Sequence, residues 1–79
     1  MSPTIFRQDG YRFQFFSLEE SRMHVHVYSG NGEAKYWLEP EVELATSYRL
    51  NRKQLGDIER ILGERKDEII KRWREHHGR

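Results

Sequence analysis

Cysteine is absent, so the chain has neither disulfides nor thiolate metal sites, a usage that fits a reducing compartment. No apolar run approaches the roughly 20 residues that a transmembrane helix needs, and no signal-peptide pattern opens the sequence. An excess of one charge is also missing: 14 Lys and Arg stand against 13 Asp and Glu, a formal +1. That near-balance argues against the whole-protein basic field that binds nucleic acid regardless of sequence, while leaving room for a local basic patch. Internal repeats and low-complexity tracts are lacking as well. The expectation is one soluble, cytoplasmic domain over residues 1–79 with no membrane partner.

What is present is a thin core beneath a heavily charged surface. Apolar residues make up 35% of the chain and charged ones 34%, so the aromatics have to supply much of the buried area. Residues 1–46 read as short strands. Thr4 to Gln8 and Tyr11 to Ser17 flank Asp9-Gly10, the strongest two-residue hairpin signal. That loop sets Phe6 opposite Phe13, Arg7 opposite Arg12 and Thr4 opposite Phe15. One face then carries Phe6, Tyr11, Phe13 and Phe15, and the other Ile5, Arg7, Arg12, Gln14 and Phe16.

A second hairpin joins His24–Ser29 to Glu33–Leu38 through Gly30-Asn31-Gly32. A two-residue Asn31-Gly32 turn pairs Val27 with Tyr36 and Val25 with Leu38, and places His26 opposite Trp37, His24 opposite Glu39 and Tyr28 opposite Lys35. A one-residue slip would mix the faces, so this register is favoured. Pro40 ends the run, and Val42 to Ala45 reads as a fifth short strand or a crossing segment. A helix over 51–77 starts at an Asn51 cap with Gln54 completing a capping box. Leu55, Ile58, Leu62, Ile69 and Trp73 form its apolar stripe, with Arg65 or Lys66 filling a gap, and Gly78 is the stop. The stripe keeps its phase across Gly63, which predicts one long helix. At about 38 Å for some 25 residues, against about 20 Å for a six-residue strand, such a helix overhangs the sheet. Ile69, Ile70 and Trp73 would then call for a second surface, such as another copy of the chain. The fold class expected is α+β: an antiparallel sheet of four to five strands with one long C-terminal helix on its apolar face.

Pro3-Thr4-Ile5-Phe6-Arg7, Gly10-Tyr11-Arg12-Phe13, His24-Val25-His26-Val27, Gly32-Glu33-Ala34-Lys35-Tyr36-Trp37-Leu38 and a helix ending in Trp73 recur in this order and spacing in one family. Through them the chain resembles, essentially end to end, the small bacterial proteins grouped as domain of unknown function 4160. The resemblance implies one half of a two-gene, toxin–antitoxin-like module, often beside a partner resembling domain of unknown function 2442. Where such proteins usually carry two prolines before the first histidine, this chain has Arg22-Met23.

Period-two alternation puts His24 and His26 on the polar face, away from Val25 and Val27. Three readings stand. Polar residues can simply fill the solvent side of a strand, with His26 stacked on Trp37. Alternatively, the two imidazoles act as acid and base of a metal-independent ribonuclease, with Lys35, Arg7 or Arg12 stabilising the developing charge. As a third reading, His24 and His26 hold a divalent metal with Glu39 or Glu33 as third ligand, His76 and His77 being out of reach. Arg7 and Arg12, directly opposite, repel unless solvated or sharing an anion. Trp37 on the polar face and Trp73 on the helix are the aromatic contact candidates. The leading expectation is a component that binds a protein encoded beside it, without a cofactor. The alternatives are the ribonuclease and an RNA- or DNA-binding module.

Overall fold

The computed structural model describes residues 4–15 and 22–76. The expected strand end at Phe16-Ser17, the C-terminal Gly78 and the side chains of His76 and His77 lie outside the described residues. The element order is β1 (Thr4–Gln8), β2 (Tyr11–Gln14), β3 (His24–Ser29), β4 (Gly32–Trp37), β5 (Glu43–Tyr48), α1 (Arg52–Glu64) and α2 (Lys66–His76). The strands form one antiparallel sheet in the order β1-β2-β3-β4-β5. The helical segment covers one face of the sheet, and the α+β expectation holds. No helix among the described residues is long and apolar enough to cross a membrane.

Asp9 and Gly10 both have positive φ (55° and 86°), the requirement of the type I′ turn that their sequence announces. Phe6 faces Phe13 and Arg7 faces Arg12, as expected. Beyond them the register breaks: Thr4 pairs with Gln14, not Phe15, because a bulge falls at Ile5. The extra residue turns Ile5 into the core, correcting its expected place on the polar face.

The β3–β4 turn is Gly30-Asn31, with Ser29 facing Gly32. Among the described residues Gly30 has φ 56° while Asn31 is not in the positive region, the pattern of a type II′ turn. The register is thus two residues from the expected one. His24 faces Trp37, His26 faces Lys35, Tyr28 faces Glu33, and Val25 and Val27 face Tyr36 and Ala34. A two-residue shift preserves parity, so the faces survive, and Val25, Val27 and Tyr36 are fully buried. Gly32 is drawn into the strand by packing. A Cβ there would lie 2.6 Å from the Arg49 carbonyl oxygen and 2.5 Å from Leu50 Cδ2.

Asn51 and Gln54 form the capping box, with both reciprocal bonds at 2.8 Å. The single long helix is instead two, interrupted at Arg65 (φ −115°, ψ 21°). Backbone bonds still run from Arg65 N–H to Ile61 O and from Ile69 N–H to Arg65 O, so the chain deviates at one residue without losing its direction. The Arg65 side chain fixes the deviation. Its guanidinium lies 3.5 Å from the Phe6 ring centroid, bonds Gln8 Oε1 at 2.9 Å and grips the Glu68 carboxylate with two bonds of 2.9 Å. Those bonds hold the Glu68 carboxyl below its usual range. Ile69 is consequently fully buried and Trp73 is 6% exposed, both within their own chain. The overhang expected of them does not occur, and Ile70 alone of the three stays half-buried.

Two predictions follow from this packing. Gly32→Ala should cost about 1–3 kcal/mol, because the carbonyl it meets cannot rotate away. Gly63→Ala, on open helix surface with nothing within 4 Å, should instead gain up to about 1 kcal/mol; thermal melts of the two variants should move in opposite directions. Burial, and then the hydrogen bond and charge of Glu59, push the Tyr36 phenol well above its ordinary value. The folded state therefore keeps a proton that the unfolded chain releases. Stability should stay flat up to about pH 10 and fall above it. Melts across that range should show a shallower alkaline decline for Tyr36→Phe.

Candidate functional site

The sheet face opposite the helices is organised by cross-strand register into three rows. Arg7, Arg12, Tyr28, Glu33 and Tyr48 form the first. Gln14, His26, Lys35 and Thr46 form the second, and His24, Trp37 and Glu43 the third. Cations lie over aromatic rings along all of it. Arg12 sits over Tyr28 (5.3 Å), Arg22 and Lys35 over Trp37 (4.3 and 4.6 Å), and Arg49 over Tyr48 (5.2 Å). Each such contact is worth about 0.5–1 kcal/mol at exposed sites and fixes where the cation stands.

The histidines do not share a fate. His24 is fully buried: its ring meets Trp73 at 5.1 Å, His26 at 5.2 Å and Trp37 at 5.9 Å, all near edge-to-face. Its Nδ1 is 2.7 Å from the Arg22 carbonyl oxygen, which calls for a proton on that nitrogen. Strand alternation alone places His24 in solvent, and the ring of Trp73 from α2, 5.1 Å away, overrides it. Arg22 gives its carbonyl to His24 and its guanidinium to Trp37 and to the Glu39 carbonyl at 3.0 Å. His26 is half-exposed, beside Lys35 rather than stacked on Trp37 as expected.

These placements bear on the chemistry. An acid/base pair needs both imidazoles at the substrate, and only His26 is open to it. The two-residue register puts Trp37, not Glu39, opposite His24, and Glu33, the other third ligand expected, lies in the row of Tyr28. Among the described residues no three His, Asp or Glu side chains gather as a metal set. Trp73, offered by the sequence as a contact residue, is instead core, edge-on to Phe15 at 5.4 Å.

Two concavities lie on this face. One, of about 310 Å³, is bordered by His26, Tyr28, Glu33, Lys35, Thr46 and Tyr48. The second, of about 380 Å³, lies between the two hairpin turns at Arg7, Arg12 and Tyr28. Sequence reasoning missed Thr46 and Tyr48. The signal that could have found them is the length of β5, whose polar residues continue the two rows.

The model of one protein family, Domain of unknown function (DUF4160), matches residues 10–74. The chain belongs to that family. No curated protein and no solved structure matches it.

His24→Ala and Trp73→Ala should each lower stability by about 2–5 kcal/mol, as large-to-small changes in a core do. His26→Ala should leave it within about 1 kcal/mol. Chemical denaturation of the three variants checks this.

Proposed function

We propose that this DUF4160-family chain is a binding component, not an enzyme, and that its partner is a protein encoded beside it that adds a strand to the β5 edge. The observation that carries this reading is the state of β5. It is an outermost strand, five of its six residues are exposed, and Leu44 (38%) and Tyr48 (57%) are large apolar side chains left open to solvent. A free edge offers backbone donors and acceptors to an incoming strand, which gives affinity, while side-chain pockets give selectivity. The cavity of about 310 Å³ lies immediately inside that edge, bordered by Thr46, Ser47 and Tyr48, and suits one side chain of the added strand. Lys35 and Trp37 stand one strand further in and complete the contact surface.

Enzymatic use of the face is the weaker reading, because the burial of His24 leaves one accessible imidazole among the described residues. Binding of single-stranded RNA has support from the alternation of cations and rings, which is what a stacking surface requires. The near-zero net charge weighs against it.

The test is titration calorimetry of the full chain with the neighbouring gene product. A complex is expected, with Tyr48→Ala and Trp37→Ala each weakening it by about tenfold or more and His26→Ala changing it little. Failure to form a complex would sink the reading. So would RNA cleavage that disappears in His26→Ala while the melting temperature is unchanged.

A further inference from the structure

We infer that the concavity between the two hairpin turns is an oxyanion site that takes a phosphate dianion. Arg7 and Arg12 are direct cross-strand partners on the same face, the closest placement two like charges can have in a sheet. Neither is bonded to a carboxylate among the described residues. Asp9, beside them in the chain, is engaged by Arg60 at 3.5 Å, and Glu33 stands in the same row beyond Tyr28.

Arg12 Nε is buried and has no hydrogen-bond partner among the described residues. A buried donor left unmatched costs about 1–3 kcal/mol, and native structures rarely keep one without a reason. The Arg12 guanidinium is not adrift, since the Tyr28 ring holds it at 5.3 Å. Around the pair lies an open volume of about 380 Å³, with Tyr11, Ser29 and the turn glycines Gly10 and Gly30 as its walls. Two repelling guanidinium groups, one orphaned donor and an accessible space share one remedy, an anion.

The charge and donor count select which anion. Two planar guanidinium forks present more donors than the two oxygens of one carboxylate pair well with, and together they carry two positive charges. A tetrahedral phosphate with two negative charges matches both. Inorganic phosphate and a terminal phosphate monoester present the same group, so both are candidate sources. The site draws on β1, β2 and β3, whereas the proposed partner contact uses β5, and either can fail without the other.

The experiment is an amide and arginine Nε–H NMR titration of the full chain with sodium phosphate, with chloride and acetate at matched ionic strength as references. Saturable shifts at Arg7, Arg12, Gly10 and Gly30 with phosphate alone are expected. Arg7→Gln, at an exposed position that does not endanger folding, and Arg12→Lys, which keeps the charge but removes the Nε donor, should each weaken binding at least about tenfold. Two further arms use a short oligonucleotide with and without a 5′-phosphate. Preference for the phosphorylated form identifies a terminal monoester as the source, and binding of inorganic phosphate with no such preference identifies the free ion. Equal, unsaturated shifts with chloride, or undiminished phosphate binding by both variants, would overturn the inference.

Discussion

The guanidinium of Arg65 joins the helical segment to the first hairpin, and the far end of the molecule depends on it. It stacks on Phe6 and bonds Gln8 in β1 while gripping Glu68 one turn ahead. As a helical ion pair the Glu68 contact contributes only a few tenths of a kcal/mol. Its importance is geometric. The guanidinium ties the break between the helices to β1, and past it Ile69 and Trp73 are buried, with Trp73 edge-on to Phe15 and to His24.

Much of this was legible in the sequence wherever the signal was local. Asp9-Gly10 specified its turn, Asn51 with Gln54 specified the helix start, and the apolar stripe pointed Ile58 and Leu62 at the sheet, where both are fully buried. Of Arg65 and Lys66, the two residues that could fill the gap in that stripe, Arg65 is the one where the helix breaks. What escaped was set by contacts distant in sequence. Gly32 sits in β4 rather than in the turn because Arg49 and Leu50, some 17 positions on, occupy the space of its missing Cβ. Asn-Gly is a strong turn signal, but Gly-Asn also makes a two-residue turn, of the other primed type, and long-range packing chose between them.

The candidate site shows the same division. Parity survived the register error, so Arg7, Arg12, His26, Lys35 and Trp37 were placed on the correct face. Row membership did not survive: Glu39 was paired with His24 on paper, and Trp37 takes that place in the fold. Of the two third ligands that the metal reading offered, Glu39 loses its place opposite His24, while Glu33 borders the same cavity as His26. Trp73 was misjudged for a different reason. Helical spacing cannot say whether the end of a stripe overhangs the sheet or packs on it, since that depends on contacts distant in sequence, here those of Trp73 with Phe15 and His24.

A small sheet has two faces but apolar residues enough for one, and the second must be stabilised in another way. Here it is covered by flat contacts between cations and rings, which hold Trp37, Tyr28 and Tyr48 in place without removing them from solvent. Such an arrangement is suited to the binding role proposed for this face. Groups fixed by stacking are preorganised, so a ligand does not have to order them, and less of its binding free energy is lost to immobilising side chains. Acid/base catalysis needs a second accessible proton carrier beside His26, and the enclosed ring of His24 does not provide it. The position where the face is least satisfied, the buried Nε of Arg12, is accordingly where a ligand has most to contribute.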